Sequence, residues 1–126
     1  MADSAQKPVV LLVEDEWLVR MEIADALLEA GWEVLEISSG EAAVAHIAGG
    51  HALDLLVSDI RLTGPVNGWD VAEACRAAHP AIPVVYASAN PCDRDRMVKD
   101  SVFLSKPSRT EQLVSLCRNL YERKAK

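Results

Sequence analysis

The chain has 126 residues, half of them hydrophobic and a quarter charged, with 13 Lys and Arg against 19 Asp and Glu for a net charge of −6. That length supports one domain rather than two, and the acidic balance argues against a nucleic-acid module, which presents a basic face. No apolar run is long enough for a transmembrane helix, and residues 1–7 carry Asp3 and lack the apolar stretch of a signal peptide.

Residues 8–13 read P-V-V-L-L-V, a short continuous apolar run expected of a strand buried on both faces. A helix is predicted over 16–30, with Val19, Ile23, Leu27 and Ala30 on one face and Gly31 as its stop. Residues 32–37 form a second strand, and Ser38 with Glu41 has the spacing of a capping box that opens a helix to about residue 48. A third strand over 53–58 ends at Asp59. The loop that follows holds Gly64 and Pro65 and leads to a helix over 69–78 with Val71, Cys75 and Ala78 on one face. Residues 83–87 form a fourth buried strand, followed by Ser88. The stretch 90–99 carries Pro91 and five charges, so only a short or loose helix is expected there. A brief fifth strand, 102–104, ends at Ser105-Lys106-Pro107. Ser108 and Glu111 form a second capping box, and Leu113, Leu116, Cys117 and Leu120 make the inner face of the last helix. Residues 1–7 and 122–126 are expected to be flexible termini.

Strands alternating with helices in so short a chain imply one parallel sheet with helices on both faces. Cys75, Cys92 and Cys117 form no paired or zinc-binding pattern and are expected to be reduced, mostly buried thiols of a cytoplasmic protein.

In open α/β sheets, ligands bind beyond the carboxyl ends of the strands. Glu14, Asp15 and Glu16 follow the first strand, Asp59 the third, Ser88 the fourth and Lys106 the fifth. Two unit charges at about 4 Å repel by about 4 kcal/mol at an effective dielectric of 20. A hard divalent cation relieves that repulsion, and carboxylate oxygens suit Mg²⁺ with a phosphate oxygen completing its shell. A lysine and a hydroxyl then suit a phosphoryl group, and a carboxylate can itself be the nucleophile. The chemistry is Mg²⁺-assisted phosphoryl transfer onto an Asp.

V-E-D-E at 13–16, S-D-I-R-L at 58–62, A-S-A at 87–89 and S-K-P at 105–107 resemble, in order, the four signatures of response-regulator receiver domains of the CheY-like superfamily. The resemblance covers residues 8–121. It implies a flavodoxin-like (βα)5 fold: a doubly wound five-stranded parallel sheet of order 2-1-3-4-5, here with a shortened fourth helix. It also implies the roles. Asp59 matches the phosphoacceptor, Asp15 the direct Mg²⁺ ligand, Glu14 its water-mediated neighbour and Arg61 the position whose backbone carbonyl faces the metal. Ser88 matches the hydroxyl that bonds the phosphoryl group, Lys106 the phosphate-pairing lysine, and Lys106-Pro107 the peptide bond that is usually cis. Phe103 matches the aromatic switch position, beside its other reading as a core residue. Trp17 and Trp69 flank the site as expected packing residues.

Two intervals depart from the family pattern. Asp59 to Gly68 is one residue longer than usual, with Leu62-Thr63-Gly64-Pro65 in place of the common Met-Pro pair. Ser88 to Phe103 is several residues shorter, which removes part of the fourth helix and of the usual output face. This pattern is similar to stand-alone alphaproteobacterial receivers that work beside HWE or HisKA2 sensor kinases.

The resemblance implies a stand-alone response regulator that receives its phosphoryl group from a sensor histidine kinase or phosphotransfer protein and switches binding to a further protein. Its only catalysis is its own phosphorylation and dephosphorylation. The altered intervals support one alternative, an interaction module indifferent to phosphate. A phosphate-ester hydrolase fits less well, since Arg61 stands where such enzymes carry a second Asp. No Gly-rich nucleotide motif follows the first strand.

Overall fold

The computed structural model describes residues 7–106 and 109–125. Its elements are β1 (Val9–Val13), α1 (Trp17–Glu29), β2 (Glu33–Ile37), α2 (Gly40–Ala48), β3 (Leu55–Ser58), α3 (Gly68–Ala78), β4 (Val84–Ser88), β5 (Ser101–Ser105) and α4 (Thr110–Ala125). The strands are all parallel and lie in the order β2-β1-β3-β4-β5, which is the doubly wound order expected.

Alternation along the strands builds two cores. Leu11, Val13, Leu56, Val84 and Tyr86 face α2 and α3, where they meet Ala43, Ile47, Trp69, Val71 and Cys75. Val10, Leu12, Leu55, Val57, Val85 and Ala87 face α1 and α4, against Ile23, Ala24, Leu27, Leu113 and Cys117. A strand buried on both faces needs apolar side chains at successive positions, which is why β1, β3 and β4 read as unbroken apolar runs. Each fully buried Val or Leu contributes about 1.5–3 kcal/mol. Among the described residues no helix is long and apolar enough to cross a membrane.

Several local expectations are corrected. The cap of α2 is Ser39, whose side chain accepts from Ala42 N at 3.2 Å, one residue later than Ser38. The cap of α3 is a capping box of Asn67 and Asp70. α4 runs through Glu122, Arg123 and Lys124, in the segment expected to be a flexible terminus. These are good helix formers, and the two cations suit the negative end of the helix dipole. Ser108, Pro107 and residues 1–6 and 126 lie outside the described residues, and with them the second capping box and the Lys106-Pro107 peptide bond. Cys75 and Cys117 are buried, with burial pushing their thiols up to about 11 and about 12, whereas Cys92 is exposed.

The short, loose helix expected at 89–100 is one 3-10 turn, Arg94–Arg96. Only Met97 and Val98 pack on the core there, and Asp100 takes a left-handed backbone, φ 59°. The segment is instead pinned by polar contacts. Arg96 pairs with Asp70 and Glu73 on α3 at 3.2 and 3.3 Å. Arg76 donates to the carbonyls of His79, Pro80, Lys99 and Asp100. Val98 N donates to the Tyr86 hydroxyl at 3.0 Å.

Candidate functional site

Strand register assembles the site. Val13 stands opposite Ile37 and Ser58, and Ser88 opposite Ser105. Each ladder extends one residue further: Glu14 N donates to Ile37 O at 3.1 Å, Asp59 N to Val13 O at 3.0 Å and Lys106 N to Ser88 O at 2.9 Å. The last backbone bonds of the sheet thus fix the residues whose side chains carry the chemistry.

Lys106 Nζ donates to Glu14 Oε1 at 2.6 Å and to Asp59 Oδ2 at 3.2 Å. Asp59 Oδ1 accepts from Ile60 N at 2.7 Å. Asp15 Oδ2 accepts from Thr63 N at 3.0 Å and from Thr63 Oγ1 at 2.7 Å. Glu14 is 2% exposed, and its other oxygen, Oε2, accepts from Glu16 N at 3.2 Å.

Burial pushes the Glu14 carboxyl above the usual carboxylate range, against the Lys106 hydrogen bond and with help from the Asp59 charge. Burial disfavours the Lys106 ammonium, but the Glu14 hydrogen bond and the charges of Asp59 and Glu14 outweigh it and hold Lys106 above the usual lysine range. Burial also works against the Asp15 carboxylate, yet the two Thr63 hydrogen bonds prevail and hold Asp15 below its usual range.

One oxygen from each of Glu14, Asp15 and Asp59 lies within 4.8 Å of the others. Against three carboxylates the cluster sets one ammonium, that of Lys106. This all-oxygen donor set, under-compensated and half open to solvent, fits a hard divalent cation such as Mg²⁺.

Ser88 lies in register at the same edge and is fully buried. Its Oγ accepts from Asn90 N and Asn90 Nδ2, both at 3.2 Å, and is not bonded to the acidic cluster. Arg61 is exposed in the β3–α3 loop. Phe103 stands apart from the polar cluster, half-buried against Trp69 and Tyr86 with ring centroids at 6.5 Å from each. Trp69 is buried as expected, but Trp17 is 63% exposed. It is the first residue of α1, six residues before Ile23, the first of the helix's buried positions Ile23, Ala24 and Leu27.

Sequence reasoning missed the contacts of four residues here. Thr63 reaches back to Asp15, and Asn90 holds Ser88. Arg20 Nη1 donates to Glu14 O at 2.9 Å while its Nε pairs with Glu36 at 3.4 Å. Gly68 N closes the loop on Ile60 O at 2.7 Å, and a Cβ there would stand 2.0 Å from Asp59 O. Only the Gly68 position carried a signal, a glycine at the mouth of a helix beside a polar strand end.

The comparisons with known proteins agree with this geometry. The sequence profile described as "Response regulator receiver domain" matches residues 10–118. A probable transcriptional regulatory protein of Picosynechococcus sp. is 33% identical over 132 residues, covering 97% of this chain and 52% of its own length. The alkaline phosphatase synthesis transcriptional regulatory protein SphR of Synechococcus elongatus is 32% identical, covering 90% of this chain and 49% of its own. This chain therefore spans about half the length of these curated relatives. Among solved structures, a response regulator receiver protein from Sinorhizobium medicae superposes with a TM-score of 0.91 at 32% identity, covering 94% of this chain and 98% of that one.

Proposed function

This chain belongs to the response regulator receiver family of two-component signalling, and on that premise we propose that Asp59 is its phosphoacceptor. The observation that carries the reading is Lys106, whose ammonium bridges Glu14 and Asp59 at the edge where β1, β3 and β5 end. The donor is a phosphohistidine of a sensor kinase or phosphotransfer protein. An Asp59 oxygen attacks phosphorus, the bond from histidine nitrogen to phosphorus breaks, and the imidazole leaves with its electron pair. A sensor kinase takes that phosphoryl group from ATP, so the domain works in the cytoplasm.

A bound Mg²⁺ supplies charge neutralisation for the phosphoryl oxygens, and Asp15, Asp59, the Arg61 carbonyl and, through water, Glu14 are the groups that would hold it. Lys106 supplies a fixed positive charge against an incoming phosphoryl oxygen without needing to change protonation, since its pKa is held high. Ser88 supplies a hydroxyl that is free to donate: in this state its Oγ only accepts, from Asn90.

The switch is a repositioning of Ser88. A phosphoryl group on Asp59 accepts from the Ser88 hydroxyl and draws Ser88 toward it, and Phe103, half-buried beside Tyr86 and Trp69, is the side chain that responds. Only differential contacts of this kind can shift a two-state equilibrium. The receiver unit spans residues 8–121, and its output is altered affinity for a partner protein. Borohydride trapping tests the assignment: reduction of the acyl phosphate marks the acceptor. The mark is expected at Asp59, and a mark elsewhere, or none in phosphorylated protein, refutes it.

A further inference from the structure

We propose that Thr63 is a positioning residue for the divalent cation, acting through Asp15; the inference rests on the metal-assisted reading above. The β3–α3 loop departs here from the family pattern, and the departing residues do something specific. Thr63 sends two donors, its backbone N–H and its hydroxyl, to the same oxygen of Asp15, forty-eight residues away in the chain. Both take Oδ2, which leaves Oδ1 unengaged by Thr63.

The loop that carries Thr63 is anchored on both sides. Leu62 is buried in the core with Ile60 and Trp69. Gly64 takes φ +97°, a left-handed turn that a side chain would adopt only with strain, and a Cβ there would meet the Glu41 carboxylate. Gly68 N closes the loop on Ile60 O. Thr63 is therefore held in place by its neighbours rather than by Asp15, and it can fix the carboxylate instead of following it. Asp15 is only half-buried and has no core packing to set its rotamer. A partly exposed ligand without that support would spend most of its time in rotamers that do not face Glu14 and Asp59.

An exposed hydroxyl contributes little to folding, so its expected effect is on the cation. Partners that orient metal ligands typically change affinity by 10–100-fold when removed. Thr63→Val removes the hydroxyl, keeps the β-branched shape and retains the backbone N–H bond, so the low end applies: Mg²⁺ affinity falls about tenfold. Thr63→Ser keeps the hydroxyl and restores most of it.

The test is a Mg²⁺ titration of unphosphorylated wild type, Thr63→Val and Thr63→Ser, followed by the amide NMR shifts of Asp15, Asp59 and Ile60. The expected result is a weakened Thr63→Val with Thr63→Ser close to wild type. Equal or tighter binding by Thr63→Val, or a Thr63→Ser as weak as Thr63→Val, overturns the role of Thr63 while leaving the metal site intact. Wild type that shows no saturable shift at these amides overturns the metal reading, and the Thr63 inference with it.

Discussion

Lys106 and Glu14, ninety-two residues apart in the chain, meet at 2.6 Å. The lysine side chain is 20% exposed and the glutamate 2%, so the pair lies at the boundary between core and solvent. Removing one partner of such a pair leaves a buried charge without compensation. Thermal or urea unfolding of Lys106→Met should show a loss of about 2–4 kcal/mol at neutral pH.

Neutralising the glutamate acts the other way. Glu14 has its pKa raised in the folded state, chiefly by burial. A raised group contributes stability that is present below its unfolded value of 4.5 and is lost as pH rises through the folded value. Glu14→Gln mimics the protonated form at every pH. It should therefore unfold at a higher temperature than wild type at pH 7, with the difference closing below pH 4.5. Added Mg²⁺ should reverse the order at pH 7, since tenfold saturation over Kd stabilises wild type by about 1.4 kcal/mol.

Gly68, the first residue of α3, packs against the backbone that leaves β3. A Cβ at this position would lie 2.0 Å from Asp59 O and 2.7 Å from the Ile60 Cα, both backbone atoms with no freedom to rotate away. Gly68→Ala should cost about 2 kcal/mol or more in unfolding. It should also shift the Asp59 amide resonance, which a remote destabilisation would leave in place.

On the proposed switch, Ser88 has to move from where Asn90 holds it. Two hydrogen bonds of about 0.5–1.5 kcal/mol each hold Ser88 Oγ against Asn90. Asn90→Ala releases it. Beryllofluoride, a phosphoryl mimic, should bind Asn90→Ala several-fold more tightly than wild type and Ser88→Ala more weakly. Equal affinities would remove Ser88 from the switch.

The segment 89–100 should depend on Arg76 more than on Arg96. The Arg96 pairs with Asp70 and Glu73 are at least a third exposed and belong to a class worth 0–1 kcal/mol. Arg76 bonds four carbonyls from two chain segments. Hydrogen exchange at Met97 and Val98 should accelerate strongly in Arg76→Ala and little in Arg96→Ala.

The sheet and the order of the polar residues at its edge were legible in the sequence because parallel strands buried on both faces have an unmistakable composition. An apolar run that stops at Glu14, Asp59, Ser88 or Lys106 marks both the strand and its functional end. What could not be read was decided by loops. Gly64 turns left-handed just after Thr63, which reaches Asp15, and Asp100 does the same beside two of the carbonyls that Arg76 meets. Ser38 and Ser39 offer the same capping chemistry one residue apart, and only the path of the chain out of β2 chooses between them. Trp17 looked like a packing residue by type, but it stands at the very start of α1, before the helix's first buried residue.

The most direct test of the central reading is intact mass after incubation with acetyl phosphate, in Mg²⁺ and in chelator, for wild type and Asp59→Asn. The expected result is a gain of one phosphoryl group that requires Mg²⁺ and is absent in Asp59→Asn. No gain in folded wild-type protein that binds Mg²⁺, or an equal gain in Asp59→Asn, would contradict it and favour an interaction module indifferent to phosphate.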